Sequence, residues 1–172
     1  SPGWYYHASE DHKLKSLSKL TDIYYESVGR NSLLLLNLTP NKDGLIPAQD
    51  SIRLCEWHKR YTSELSNNLM SDRMRISGGK DTKRLRCLLD GNRESYWVAD
   101  TKTPVVEVDF GKKLRFNRLL LQEYIEKGQR VKAFTIEYWK DGKWIVLDTQ
   151  TTIGYKRILR FPEIVSSRLR IC

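Results

Sequence analysis

The sequence predicts a two-part chain. An α/β region with the order of the last units of a (β/α)8-like barrel comes first, and an all-β region forming a β-sandwich follows. Three observations lead there. Apolar residues recur at helical steps on either side of a leucine run between residues 13 and 61. Beyond residue 105 the period changes to strict alternation. Charge divides near residue 65: residues 1–65 carry 8 Lys+Arg against 8 Asp+Glu, leaving 22 and 13 for residues 66–172 and with them the whole net charge of +9. The expected regions are therefore 1–65 and 66–172.

Trp4–His7 reads as strand-like. Lys13–Val28 follows as an amphipathic helix, with Leu14, Leu17, Leu20, Ile23, Tyr24 and Val28 on one face. Gly29 is expected to close it as a left-handed cap. Leu33–Leu36, with Asn37 and Leu38, suits a strand buried on both faces, as in a parallel sheet. Thr39-Pro40-Asn41-Lys42-Asp43-Gly44 is turn chemistry. Pro47 then opens a second helix whose apolar face holds Ile52, Leu54, Cys55, Trp57, His58 and Tyr61, with Cys55 expected to be a small buried residue. This β-α-β-α order fits the end of a β/α barrel, but roughly 65 residues cannot close a fold that needs about 250. If the family resemblance given below holds, the chain is thus expected to be the C-terminal part of something larger.

Thr62–Asp72 is a polar connector. Strands are expected at Val105–Phe110, Arg115–Tyr124, Val131–Tyr138, Trp144–Asp148 and Ile153–Phe161, divided by turns at Gly111, Gly128 and Asp141-Gly142. Short strands at this spacing predict a sandwich.

Bulk properties narrow the classes. With 40% apolar and 30% charged residues the composition is that of a globular protein. No apolar run approaches the roughly 20 residues of a membrane span, and no secretory signal pattern is visible at the N-terminus. Cys55, Cys87 and Cys172 lack metal-binding spacing and give no disulfide framework. A basic domain raises a nucleic-acid reading. The basic residues are interleaved with acids along the predicted strands instead of forming a run, so no nucleic-acid partner is expected.

Two stretches of the first region resemble the α-L-fucosidases of glycoside hydrolase family 29. Val28-Gly29-Arg30-Asn31-Ser32-Leu33 through Ile46 resembles that family's last barrel strand and its exit loop, with Ser32 in place of the usual glycine. Ser1-Pro2-Gly3-Trp4-Tyr5-Tyr6-His7 with Glu10-Asp11 resembles a segment at an earlier strand end. The second region resembles the discoidin or coagulation-factor type C family, a galactose-binding-like jelly roll. It does so through Leu89-Asp90-Gly91-Asn92 with Ser95 and Trp97, Val106–Phe110, Leu121–Val131 and Thr152–Leu159. Relatives continue with a closing strand beyond the position of Cys172, so the resemblance implies a truncated sandwich.

A retaining glycosidase needs two carboxylates about 5 Å apart. The resemblance places both before Ser1, so this chain alone is expected to be inactive and has no catalytic residue to assign. It implies that Trp4 and His7 contribute to the sugar pocket, since an indole stacks on a sugar face and an imidazole bonds a hydroxyl. Glu10-Asp11 make a poor catalytic pair, because neighbouring side chains diverge, and are expected in the first turn of the following helix. Asn37-Leu38-Thr39 matches a glycosylation sequon, set aside because Asn37 falls in the expected buried strand. No cofactor is expected for catalysis. The discoidin resemblance implies a structural Ca2+ held by Asp90, Asn92 and Ser95, against the plainer reading of an Asp-Gly-Asn turn with no ion. Tyr96, Trp97, Arg93 and Asn92 are the residues a lectin site would use, though Trp97 is expected beneath the loop in the core. Gln129-Arg130 and Lys156-Arg157 are expected to fix loops.

The resemblances imply a portion of a retaining exo-α-L-fucosidase that removes terminal α-L-fucose from glycans, with this chain giving a pocket wall and an accessory domain. Its partners would be fucosylated glycans and the remainder of the catalytic barrel. Its location would be exported, in the bacterial periplasm or at the cell surface, with a lysosome the lesser alternative. Two competing functions stand beside this one: a carbohydrate-binding module, and a purely structural domain supporting the barrel.

Overall fold

The structure is a computed structural model and describes residues 4–172; Ser1-Pro2-Gly3 of the first fucosidase-like motif lie outside it. The chain divides into two compact units, one running through Asn68 and the other from Leu69 to Cys172.

The first unit is helical. Helix α1 (Leu17–Glu26) starts at Ser16, whose hydroxyl accepts the Lys19 N–H at 3.1 Å and satisfies one of the orphan donors of the first turn. Helix α2 (Ala48–Leu65) is capped by Pro47. The helices meet through rings. Tyr24 stacks on Tyr61 at 4.8 Å and meets the Trp57 edge at 6.2 Å, and the Tyr25 hydroxyl donates to Glu64 Oε2 at 2.9 Å. The turn at residues 39–45 is organised by Asn41, whose Oδ1 accepts from the N–H groups of Asp43 and Leu45, with Gly44 at φ 74°.

Several expectations change here. Trp4–His7 is not a strand; a short 3-10 turn at Ala8–Glu10 follows it. Gly29 does not take the left-handed conformation, which falls to Asn31 at φ 68°. Glycine is required at 29 for a different reason: a Cβ there would lie 2.4 Å from the Tyr25 carbonyl oxygen. Leu33–Leu38 has no strand paired with it among the described residues, and it is covered on one side only. Leu34, Leu36 and Leu38 are half-buried, while Leu33 and Leu35 are each 89% exposed. A strand cannot satisfy its own backbone, so its burial depends on neighbours that these residues do not supply. Cys55 is exposed, on the solvent side of α2. Asn37 is exposed as well, which removes the burial argument against the sequon. Glu10 and Asp11 precede α1 by a full turn: Glu10 pairs with Lys13 at 3.6 Å, and Asp11 accepts from the Tyr6 hydroxyl at 3.1 Å.

The second unit is an open antiparallel sheet in the order β1-β2-β5-β3-β4, formed by Arg75–Ser77, Val106–Leu121, Arg157–Ile171, Phe134–Lys140 and Lys143–Gln150. A short helix α3 (Thr82–Leu85), with Asp81 as its N-cap, runs into a 3-10 turn at Arg86–Leu89. The β3–β4 hairpin turns at Asp141 (φ 51°) and Gly142 (φ 79°), the two positive angles that match strand twist. Gly111 was expected to end a strand, yet it lies inside β2 at φ 71°. The β2–β5 register shifts there, between Asp109 and Leu114, and again between Phe116 and Arg118.

Such bulges bend a strand, and the packing shows the result. Val108, Phe110 and Leu169, from before the first bulge, share a core with Leu159 from beyond the second, and Phe116 and Phe161 pack against it. Phe116 meets Phe110 and Phe161 edge-on at 5.8 and 6.0 Å. The two long strands thus curl around one core, which is how a single sheet makes a jelly roll. Leu85 and Ile136 are fully buried in it.

Candidate functional site

The Asp90–Tyr96 loop is built around one carboxylate. Asp90 Oδ1 accepts the Asn92 N–H and Oδ2 accepts the Ser95 hydroxyl, both at 2.7 Å. Asn92 Oδ1 in turn accepts the Glu94 N–H at 3.0 Å, and the Asn92 carbonyl lies 3.0 Å from Ser95 Oγ. Gly91 takes φ 70°, which the tight turn requires. The Ser95 hydroxyl, and next the Asn92 N–H, hold the Asp90 carboxyl below the usual carboxylate range. The structure therefore brings together the three residues expected to hold calcium. They offer one carboxylate, one carbonyl and one hydroxyl, half of the six to eight oxygens that Ca2+ takes, so water would complete any shell. The Ser95 hydroxyl already bridges the carboxylate and the carbonyl. Among the described residues, no group of three or more His, Cys, Asp and Glu side chains comes together as a metal site.

Beside the loop, α3 and the following turn wall a cleft of about 490 Å3. Lys83, Arg84 and Arg86 line it together with Asp72, Asp90 and Glu94. Arg86 Nη1 donates to the Asp72 carbonyl at 2.8 Å. The Cys87 thiol, on the same wall, is pushed up by burial and by the Asp90 charge and stays protonated at neutral pH. Tyr96 is 40% exposed and stacks on Tyr124, centroids 4.6 Å apart and planes 15° apart. Trp97 packs against the core, as expected, close enough to Gly79 that a Cβ there would lie 2.9 Å from its ring.

Sequence reasoning missed the residue that fixes the adjoining loops. Glu123 Oε1 accepts the N–H groups of Arg130 (2.7 Å) and Val131 (2.9 Å), and Oε2 accepts that of Gly154 (2.5 Å). Its own N–H donates to the Gly154 carbonyl. A carboxylate between two glycine-bearing loops was the available signal. Arg157, expected to fix a loop, is buried and donates to Gln150 Oε1.

Trp4 and His7 are not brought into a pocket by the described residues. Both are exposed, Trp4 to 88%. Nearby, a crevice of about 10 Å3 is lined by Tyr6, Glu10, Asp11, Asn37, Thr39 and Asp50, too small for a sugar ring.

Residues 71–171 match the F5/8 type C domain family. The chain belongs to that family. Its likeness to known proteins runs past the F5/8 type C domain and takes in the helical unit as well. Alpha-L-fucosidase 1 of Arabidopsis thaliana is 38% identical over 176 residues, covering 97% of this chain and 34% of that protein. The crystal structure of SpGH29 is 35% identical with a TM-score of 0.91, covering 99% of this chain and 38% of its own. A Ruminococcus gnavus fucosidase of glycoside hydrolase family 29, solved in complex with fucose, is 27% identical with a TM-score of 0.84, covering 98% and 35%. The chain spans about a third of the curated relatives it matches, 34% of each. No helix among the described residues is long and apolar enough to cross a membrane.

Proposed function

We propose that this chain is the non-catalytic C-terminal portion of a retaining exo-α-L-fucosidase, acting on terminal α-L-fucose of glycans. The observation that carries the reading is that both units, together and nearly end to end, align as one piece with a third of several fucosidases. The F5/8 type C domain is the accessory domain. The helical unit is the end of a β/α barrel, and Leu33–Leu38 is the barrel's last strand. The open side of that strand supports this: Leu33 and Leu35 are 89% exposed here and would be covered by the neighbouring elements of a longer chain. Both reacting carboxylates come from that remainder. Trp4 and His7 would form one wall of the fucose pocket once the remainder is in place.

The chemistry divides accordingly. The reacting pair supplies a nucleophile and an acid/base about 5 Å apart, while this chain's indole would cover the apolar sugar face and its imidazole would bond a hydroxyl. Export to a periplasm or cell surface, where glycans are met, belongs to the same proposal. So does calcium in the 90–95 loop, with Asp90, the Asn92 carbonyl and Ser95 as its protein ligands. Calcium titration monitored by thermal unfolding tests that point: a rise in Tm supports the ion, and an unchanged Tm means that the Asp90 hydrogen bonds close the loop alone.

The functional test is hydrolysis of a chromogenic α-L-fucoside. The 172-residue chain should show no turnover alone, and activity should appear when the missing part of the barrel is supplied. Replacing Leu33 and Leu35 by Asp should abolish that complementation. Turnover by the chain alone would refute the proposal.

A further inference from the structure

We propose that Tyr6 is a positioning residue, whose hydrogen bond to Asp11 fixes the segment that presents Trp4 and His7. The inference rests on the fucosidase reading for the role of those two side chains, and adds to it the contact that holds them in place.

The segment sorts its side chains by exposure. Trp4 is 88% exposed and Tyr5 79%, and His7 is exposed as well, while Tyr6 is half-buried. The backbone at His7 is extended (φ −134°, ψ 116°), so the side chains of residues 6 and 7 leave the chain on opposite sides. Tyr6 turns to the small crevice that it lines with Leu14, Asn37, Thr39 and Asp50. Too small for a ligand, that crevice is the seat of the tyrosine ring. Its walls come from the stretch before α1, from the end of the leucine segment and from the first turn of α2. The ring thus sits where separate parts of the unit converge.

Asp11 is a fixed post. The His7 carbonyl accepts the Glu10 N–H at 2.9 Å, the Ala8 carbonyl accepts the Asp11 N–H at 3.3 Å, and the Glu10 carbonyl accepts the Lys13 N–H at 2.8 Å. These consecutive turns set the Asp11 carboxylate, whose Oδ2 accepts the Tyr6 hydroxyl at 3.1 Å. Burial, and next the bond to Asp11, push the Tyr6 phenol up, so it remains a donor at neutral pH. The bond ties residue 6 to residue 11; His7 lies inside the loop it closes, and Trp4 just outside. Side chains fixed before binding lose little freedom when a sugar arrives. A tyrosine that only packed the unit would change stability alone, whereas a positioning one also changes affinity for the fucoside.

The test joins a readout of order to one of affinity. In the 172-residue chain, amide NMR relaxation should give order parameters of about 0.85 for residues 6–11. Tyr6→Phe, which keeps the ring and removes the hydroxyl, should bring those of residues 6 and 7 below about 0.6. With the missing part of the barrel supplied, Tyr6→Phe should raise KM for the chromogenic α-L-fucoside roughly 3- to 10-fold. Its kcat should stay nearly unchanged, the mark of lost binding shared by ground and transition states. Asp11→Ala should match Tyr6→Phe, while Asp11→Asn, whose amide oxygen still accepts the hydroxyl, should keep both values. Lys13→Ala, which removes only an exposed pair with Glu10, should change neither. Unchanged order in Tyr6→Phe, or an unchanged KM despite lost order, would overturn the proposal. Turnover by the 172-residue chain alone would refute the fucosidase reading instead, and the order parameters would then decide whether Tyr6 is the anchor.

Discussion

Leu33 and Leu35 in the helical unit leave 89% of their surface open, while Leu85 and Ile136 in the F5/8 type C domain leave none. In the sequence both sets look like core. The difference lies in who supplies the neighbours. β2 and β5 carry their own partners and bend at two bulges, so the domain closes its core with residues of this chain. Among the described residues, the helical unit buries only Leu20 and Tyr25 of its large apolar side chains. Its helices satisfy their backbones internally, but its leucine segment has no paired strand among the described residues. Hydrophobicity in a sequence thus states a demand for burial, and the fold decides whether the same chain meets it.

The comparison breaks most sharply at the domain's core. Ile136→Ala should cost about 2–5 kcal/mol, seen as an earlier urea midpoint for the sheet, whereas Ile52→Ser on α2, where the side chain is 59% exposed, should stay within about 0.5 kcal/mol. The next effect belongs to Glu123. Glu123→Gln weakens a carboxylate that holds three backbone N–H groups, and a loss of about 1–3 kcal/mol is expected. Amides of Arg130, Val131 and Gly154 should exchange faster while those of β3 stay protected.

Acid should weaken the sheet. Asp90, through Ser95, and Glu137, through its hydrogen bond with Arg170, both hold their protons less tightly in the fold than an isolated carboxyl does. Their contribution is fully present above the unfolded values of about 4 and is lost as pH falls through the lower folded values. Below about pH 4 the domain should therefore lose stability as these two carboxylates take up protons. The smallest effect sharpens this. Ser95→Ala should move the Asp90 titration upward toward the ordinary carboxylate value, read by carboxyl NMR, with the rest of the sheet unchanged.

Much of this was legible in the sequence because the signals were local. Alternation predicted β3 and β4, Asp141-Gly142 predicted their turn, and the spacing of Leu20, Tyr24 and Tyr61 predicted the helices. What was missed depended on distant partners. Gly111 looked like a strand end because a bulge and a turn use the same residue and the same positive φ. β1 was overlooked because three residues carry too little pattern, and it exists only by pairing Arg75–Ser77 with Glu107–Asp109. At the candidate site, Asp90, Asn92 and Ser95 were legible as one loop. The cleft was not, since it takes α3 and the tyrosine stack to make it. Trp4 and His7 were chosen by resemblance, and the described residues leave both in the open.

The most direct test of the account is native-state hydrogen exchange on the 172-residue chain. Amides of residues 33–38 should exchange at nearly unprotected rates, while those of Val106–Phe110, Phe134–Lys140 and Arg168–Ile171 should exchange only through global unfolding of the domain. Strong protection at residues 33–38 in the chain alone would contradict it, because the leucine segment would then have found its partners within these 172 residues.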